Sequence, residues 1–225
     1  VGTDSDWVAS GVGDDFTLAI KADRSLWGWG RNRFGQLGNG STADQNTPVQ
    51  IAGDDWIQVA GGADHTVAVQ ADGSLWSWGD NSYGQLGNGD ATGHVTQPQQ
   101  VGAANEWLLA SAGVGGGATV ALKSDHTLWA WGRNISDELG LGEGVEATSP
   151  QQVGHSSGWI GVSTGGGFTL ALSVDGYLWS TGANASGRLG INEFGEHDRY
   201  EFVQALGSAW EFVFAGEGHT LGIGP

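Results

Sequence analysis

Residues 56–79 read WIQVAGGADHTVAVQADGSLWSWG, and a stretch of this type also opens at Trp7, Trp107, Trp159 and Trp210. The sequence therefore repeats every 49 to 52 residues. A period of this length is typical of arrays in which each unit buries its apolar faces against its neighbours. In such an array the number of units matters more for stability than the length of the chain.

Each unit is predicted to contain short antiparallel strands. In the second unit, residues 66–70 and 75–78 alternate with period two, which is typical of β-strands. Asp72–Gly73 between them is a hairpin turn signal. Pro98 opens the last predicted strand, and because proline cannot donate to an interior ladder, that strand is expected at a sheet edge. Each unit thus supplies about four strands, and helical periodicity is absent.

Four-stranded units of about 50 residues are typical of β-propeller blades. The predicted fold class is therefore all-β, a β-propeller of four-stranded antiparallel blades with about four and a half blades in this chain. We expect residues 1–225 to form a single, partial propeller. The predicted repeat units are 7–55, 56–106, 107–158 and 159–209, with a half unit at 210–225.

Several phrases of the repeat resemble a known family. Trp-Gly-x-Asn-x-x-Gly-Gln-Leu-Gly occurs at 29–38 and 78–87, Ala-Gly-Gly-x-x-His-Thr at 60–66, and Asp-Gly-x-Leu-Trp-x-Trp-Gly at 72–79. Together they resemble the regulator of chromosome condensation repeat. The resemblance implies a β-propeller, usually of seven blades, whose members act as protein-binding platforms. Guanine-nucleotide exchange and enzyme inhibition, known within the family, are less favoured, because fold-level analogy does not transfer function.

The positions of the ends within the repeat suggest a longer polypeptide. Val101–Gly102 and Val153–Gly154 stand six residues before the next opening tryptophan, and so does Val1–Gly2. We therefore expect roughly two and a half further units of about 50 residues each. An irregular ring of five blades, and a sheet edge completed by another chain, are the alternatives.

The charge of the chain limits its partners. Eight Lys and Arg residues against 25 Asp and Glu residues give a formal charge of −17. Nucleic acid is an unsuitable partner for such a surface, whereas a basic protein suits it. No apolar run approaches the ~20 residues of a membrane helix, so membrane insertion is not predicted. The compartment is left open, with an extracellular or secreted location favoured.

No catalytic set, metal site or cofactor is predicted, and the chain is not expected to be an enzyme. His65 and His219 share one position of the unit with Phe16, Ala118 and Phe168, which indicates a packing site. The other histidines share no spacing typical of metal ligands. The enzyme alternative, a hydrolase or lyase using acids in a central channel, lacks a converging acid–base set.

One asparagine recurs before a glycine turn in every full unit, at Asn32, Asn81, Asn134 and Asn184. Asparagine readily bonds neighbouring backbone groups in tight turns. We expect these four side chains to hold the turn together.

The loops after the third strand carry the positions that differ from unit to unit, and equivalent loops should line one face of the disc. The candidate partner-binding residues in these loops are Arg31, Arg33, Phe34, Asp80, Ser82, Tyr83, Arg133 and Ile135. Arginine and aromatic residues are enriched in binding hot spots. The predicted function is a non-enzymatic protein–protein interaction module; the alternative is a structural repeat segment of a large surface or filament protein.

Overall fold

The computed structural model describes residues 5–193 and 198–224. Val1 and Gly2, where the sequence predicts the end of a strand, lie outside the described residues. The described chain is all-β, with one 3-10 turn at Ala185–Gly187. Within it, the strands form four four-stranded antiparallel sheets and one two-stranded sheet, each ordered as in the sequence. The predicted propeller of four blades and a partial fifth is confirmed.

Each sheet is one blade. Blade 1 contains β1 (Trp7–Val12), β2 (Phe16–Lys21), β3 (Leu26–Gly30) and β4 (Gln45–Gln50). Blade 2 contains β5 (Trp56–Gly61), β6 (His65–Gln70), β7 (Leu75–Asp80) and β8 (His94–Gln100). Blade 3 contains β9 (Trp107–Ala112), β10 (Ala118–Lys123), β11 (Thr127–Gly132) and β12 (Ala147–Ser157). Blade 4 contains β13 (Trp159–Thr164), β14 (Phe168–Ser173), β15 (Leu178–Gly182) and β16 (Arg199–Gln204). The half blade contains β17 (Phe212–Ala215) and β18 (Thr220–Ile223).

The outermost strand of the blade begins earlier than the sequence predicts. Pro98 was expected to open this strand, but β8 begins at His94 and Pro98 lies inside it. The register of β8 against β7 shifts between Ser77 and Gly79. The strand lies at the edge of its sheet, as predicted, and this position tolerates the proline because an edge strand leaves some N–H groups unpaired.

The core lies between adjacent blades. Leu37 of blade 1 belongs to the same buried cluster as Trp56 and Trp78 of blade 2. None of the twelve tryptophans is exposed; five are buried and seven, Trp76 among them, are half-buried. Each blade therefore buries its apolar faces against its neighbours, as expected of a repeat array.

A backbone hydrogen-bond acceptor links each blade to the next, and at the first two junctions it is shared by two donors. The backbone oxygen of Gln36 in blade 1 accepts bonds from the Thr66 hydroxyl (2.7 Å) and the Trp78 indole N–H (2.9 Å) of blade 2. Gly38 allows this approach, because a Cβ there would lie 2.6 Å from the indole nitrogen. Equivalent bonds run from Thr119 and Trp131 to Gln85 (2.8 and 3.0 Å), from Thr169 to Glu138 (2.7 Å) and from Thr220 to Arg188 (2.8 Å).

The repeated asparagine holds the turn after the third strand, as predicted. In blade 2, Asn81 Oδ1 accepts a bond from the Leu86 N–H (3.1 Å), and Asn81 Nδ2 donates to the Asp90 carbonyl oxygen (3.1 Å). The equivalent bonds are made by Asn32, Asn134 and Asn184. These side chains are buried, so they replace water as partners of the loop backbone.

We predict that Asn81→Ala lowers the free energy of unfolding by about 1–3 kcal/mol, because the buried Leu86 N–H loses its acceptor. Asn46→Ala, at an exposed position of β4, is the control and should change the free energy by less than about 0.5 kcal/mol. Chemical denaturation of the two variants checks this. Equal effects at the two positions would contradict the role given to Asn81.

His65 is buried between blades 2 and 3. Its Nε2 lies 3.0 Å from Thr119 Oγ1, whose own hydrogen goes to the Gln85 carbonyl oxygen. Nε2 must therefore carry the proton and donate, which leaves Nδ1 as a buried nitrogen with no hydrogen-bond partner. Burial lowers the pKa of His65 to about 4, despite the opposing effect of Asp80. The packing role predicted for His65 agrees with this environment, since a neutral imidazole fills the site, whereas His219 at the same position of the half blade is exposed.

We predict that His65 makes the fold sensitive to acid. The unfolded histidine takes up a proton near pH 6.5, whereas the folded one stays neutral until about pH 4, so stability falls as pH decreases through this window. His65→Phe, which introduces the residue found at Phe16 and Phe168, removes this contribution. Between pH 7 and pH 4, the difference in unfolding free energy between wild type and variant should change by about 3 kcal/mol. Parallel pH profiles from urea denaturation would disprove the assignment.

Candidate protein-binding face

One end of the blades is formed by the connections between the first and second strands and between the third and fourth. We call this end the loop face; in blades 2 and 3 it comprises residues 62–64, 81–93, 113–117 and 133–146. Neighbouring blades are joined here through their backbones. Asp14 N–H donates to the Gly62 carbonyl oxygen (3.3 Å), and Ala63 N–H donates to that of Gly113 (3.1 Å). The loop face is thus one continuous surface.

A cleft of about 320 Å³ opens on the loop face between blades 2 and 3. Its side-chain lining consists of Ala63, Asp64, Asp80, Tyr83, Gln85 and Arg133, and the backbone of residues 115–117 closes one side. Three of the predicted residues, Asp80, Tyr83 and Arg133, therefore meet in one place. We call this site the interblade cleft.

Tyr83 is the most exposed aromatic side chain of the interblade cleft, at 47%. Its ring lies against Gly117, where an added Cβ would be 3.2 Å from Tyr83 Cδ2. Its backbone N–H donates to Gln85 Oε1 (2.9 Å). The backbone of Tyr83 is therefore fixed while its ring faces solvent, the arrangement expected of a residue that contacts a partner with little loss of conformational entropy.

The two carboxylates of the cleft both have partners. Asp64 accepts a bond from Gln36 Nε2 (2.9 Å) and lies 3.8 Å from Arg31 Nη1. Desolvation raises the pKa of Asp64, although the Arg31 guanidinium acts in the opposite direction. Asp80 accepts bonds from Ser82 Oγ (2.7 Å) and Gln85 Nε2 (2.8 Å). Arg31, another predicted residue, is thus linked to the cleft through Asp64.

Arg133 supports a buried carboxylate. Its Nη1 lies 3.0 Å from Glu138 Oε1, and the Glu138 side chain is only 1% exposed. The second oxygen of Glu138 accepts a bond from the Ser136 N–H (2.7 Å). Burial raises the pKa of Glu138, with Arg133 opposing this shift. Arg133 therefore combines a position in the cleft with a structural task, and its removal would leave a buried charge unpaired.

The other predicted residues lie outside the cleft. Arg33 and Ser82 are exposed, and Ile135 is 67% exposed. Phe34 is half-buried, with its N–H bonded to Gln36 Oε1 (3.0 Å). They belong to the loop face without forming a pocket of their own.

Sequence reasoning missed Asp64 and the glycine loop at 115–117. The equivalents of Asp64 in the other full units are Asp15, Gly117 and Gly167, so this position varies as much as those after the third strand. The same search for non-repeating loop positions, applied to the first loop of each unit, would have found it. What the sequence could not indicate is that this loop meets the third-strand loop of the same blade.

Two further findings concern the described residues, 5–193 and 198–224. No cluster of three or more His, Asp or Glu side chains there has an arrangement suited to a metal ion. None of the helical structure in that part of the chain is long and apolar enough to cross a membrane.

Models of the regulator of chromosome condensation (RCC1) repeat match most of this sequence. One model matches residues 23–69, 72–122 and 125–172, and a second matches 8–36 and 56–85. The ultraviolet-B receptor UVR8 of Arabidopsis thaliana is 33% identical over 145 residues, which make up 63% of this chain and 33% of the receptor.

Solved structures share the fold. Human WBSCR16 superposes with a TM-score of 0.86 at 25% identity, over 97% of this chain and 58% of its own. Yeast RCC1 (Prp20), solved bound to Kap60, superposes with a TM-score of 0.87 at 21% identity, over 100% of this chain and 56% of its own. The chain thus spans a third of the plant receptor and somewhat more than half of each solved relative.

The repeat models cover more than half of the sequence, and the blades match those of solved RCC1 propellers. The chain belongs to the regulator of chromosome condensation (RCC1) repeat family.

Proposed function

We propose that the chain is a non-enzymatic protein-interaction module that binds a partner protein through its loop face. The observation that carries this proposal is the interblade cleft, where the exposed ring of Tyr83 stands beside Asp64 and Asp80 on a fixed backbone. An exposed aromatic ring beside a small cleft is the kind of feature around which binding hot spots form.

Charge indicates the kind of partner. Asp14, Asp64 and Asp80 lie close enough together for their charges to interact, and Asp15 joins them through Arg31. Arg133, the arginine that lines the cleft, is paired with Glu138. The cleft is therefore acidic, as is the whole chain at −17. A partner with a basic surface would be attracted and oriented by this field.

The state of the carboxylates favours binding over catalysis. General acid–base chemistry needs a group that can exchange a proton with a substrate. Asp64 is bonded to Gln36 and lies beside Arg31, while Asp80 is bonded to Ser82 and Gln85. Both carboxylates are held by neighbours of the same fold, so they shape the cleft and its charge.

Relatives support a protein as the class of partner. Yeast Prp20 has been solved bound to Kap60. A second structure of Prp20 was described together with its binding to Gsp1p and histones. In fold these propellers match the chain closely, with TM-scores of 0.87 and 0.85.

We also propose that further blades, from the same or another chain, pack against blade 1. Thr17 and Trp29 occupy the positions whose equivalents bond to the preceding blade, yet neither has an acceptor among the described residues. Together with Trp7 and Ala9 they line a cavity of about 390 Å³ on the open side of blade 1. A loop carrying a Gly-Gln-Leu-Gly sequence would supply the missing carbonyl oxygen.

We predict that Tyr83→Ala weakens the affinity for the partner by ~1–3 kcal/mol, the range of an aromatic hot spot, and leaves the fold intact because the ring is exposed. The matched control is Tyr200→Ala on β16, since Tyr200 is 50% exposed and belongs to blade 4, outside the interblade cleft. The affinity for a partner isolated by pull-down should also decrease as the salt concentration rises, because salt screens the charges of the acidic cleft.

Paired measurements of affinity and thermal stability decide the outcome. Trp76→Ala serves as the reference for a variant that damages the fold, since the lost packing should lower the free energy of unfolding by ~3–5 kcal/mol. If Tyr83→Ala and Tyr200→Ala bind the partner equally well, the interblade cleft is not the binding site. In that case the alternative, a purely structural repeat segment, gains support.

A further inference from the structure

Both lysines of the chain lie over pairs of tryptophan rings. The Lys21 ammonium is 4.9 Å from the centre of the Trp7 ring and 5.0 Å from that of Trp27. In blade 3, the Lys123 ammonium is 5.1 Å from Trp107 and 4.3 Å from Trp129. A cation within about 6 Å of an aromatic face is attracted by the ring quadrupole. The paired rings of the blade are therefore a cation site, and in two blades the protein supplies the cation itself.

Blades 2 and 4 have the same pair of rings but no lysine, and in blade 2 the position is taken by the longer side chain of Gln70. Lys123 is the cross-strand partner of Trp107, and Ser173 stands in the same relation to Trp159. The Trp159 and Trp179 rings are 6.1 Å apart at an angle of 86°. This closely matches the Trp107 and Trp129 rings, at 6.1 Å and 78°. Blade 4 therefore keeps the pair of tryptophan rings. The short side chain of Ser173 takes the position of the lysine that supplies the cation in blades 1 and 3.

The cavities beside the two ring pairs also differ in size. In blade 3 the cavity lined by Trp107, Lys123 and Trp129 measures about 330 Å³. The equivalent cavity of blade 4, lined by Trp159, Ser173 and Trp179, measures about 570 Å³. We call the latter the aromatic cavity; Tyr177 and Phe202 complete its aromatic wall.

Two of those wall residues are also departures from the repeat. Tyr177 replaces Ser25, Ser74 and Thr127, whose hydroxyl groups bond the third-strand indole in the other blades. Phe202 stands in the region of Pro150 and lies 5.9 Å from the Trp159 ring. Blade 4 therefore has four rings around its cavity.

The charge around the aromatic cavity is negative. In blades 1 and 3 an acid before the opening tryptophan pairs with the lysine, Asp6 at 3.6 Å and Glu106 at 3.5 Å. Gly158 takes this position in blade 4, but Asp175 and Glu201 line the cavity instead. Asp175 is the turn aspartate whose equivalents accept a hydroxyl bond, and with Tyr177 in place of the serine it makes no such bond.

We propose that the aromatic cavity of blade 4 binds a lysine side chain of a partner protein, with its ammonium group in the place that Lys21 and Lys123 fill in blades 1 and 3. N-methylated lysine should bind most tightly, because its ammonium is less strongly hydrated and contacts more of the four rings. The cavity extends from the hairpin at 175–177, at the end of the blade opposite the loop face, to residues 140 and 141 of blade 3, and it shares no lining residue with the interblade cleft. It is a second site, independent of the interblade cleft.

A short Gly/Ser peptide with one trimethyllysine tests the ligand chemistry. Its matched control carries the neutral isostere in which carbon replaces the ammonium nitrogen. Calorimetry, with the Trp179 indole N–H signal followed by NMR, should show the trimethyllysine peptide binding about tenfold more tightly than the isostere. Equal binding of the two peptides, or no binding of the trimethyllysine peptide, would overturn the proposal.

Ser173→Lys tests the location of the site. The new lysine should occupy the rings as Lys123 does, so peptide binding is lost while the thermal midpoint is unchanged or raised. Ser124→Lys, at an exposed position, adds the same charge and should bind like wild type. Tyr177→Ser, which restores the residue of blades 1 and 2, should weaken binding several-fold and serves if the lysine variant misfolds. Unchanged binding in Ser173→Lys or Tyr177→Ser would place the peptide elsewhere and refute the assignment.

Discussion

The structure depends on one backbone oxygen in each of the four full blades, which accepts a hydrogen bond from a threonine of the blade that follows and, at the first two junctions, a second bond from a tryptophan indole. At the junction of blades 2 and 3 this oxygen belongs to Gln85, and its donors are Thr119 and Trp131. The Gln85 side chain meanwhile binds Asp80 and the Tyr83 N–H. The residue that joins the blades therefore also positions the candidate binding residues. A buried donor that loses its acceptor costs free energy, so this junction tolerates little movement. The loops attached to it are therefore held rigidly as well.

The repeat supplies its own reference for function, since each position is seen in four environments. Where every unit keeps the same residue, as at the turn asparagines, the side chain holds the backbone. The positions that differ carry the chemistry. Tyr83 adds a ring to the loop face, the ion pair of Arg133 and Glu138 takes the place of Asp80 and Gln85 in blade 2, and Ser173 stands where blades 1 and 3 have a lysine over the tryptophan pair. Two candidate binding sites arise in this way, the interblade cleft and the aromatic cavity, and they share no lining residue.

Most of the fold could be predicted from the sequence, because period, alternation and turn residues are local properties. The half blade at β17 and β18 and the bonds of Asn81 are examples. The predicted start of β8 at Pro98 was wrong, because an edge strand can contain a proline in its interior. The candidate site was only partly predictable. Asp64 reaches the cleft through contacts between loops of one blade and bonds across blades. The positions of Lys21 and Lys123 over pairs of tryptophan rings likewise depend on ring geometry, which residue spacing does not reveal.

The junction between blades 2 and 3 is tested most directly by amide hydrogen exchange in Thr119→Val and Thr119→Ser. Valine keeps the shape of the side chain but removes both the bond to Gln85 and the acceptor for His65 Nε2, whereas serine keeps the hydroxyl. We expect the valine variant to lose protection in β6, in β10 and at the Tyr83 amide, with a loss of stability of about 2–4 kcal/mol. The serine variant should stay close to wild type. Exchange in the valine variant that matches wild type would contradict the account.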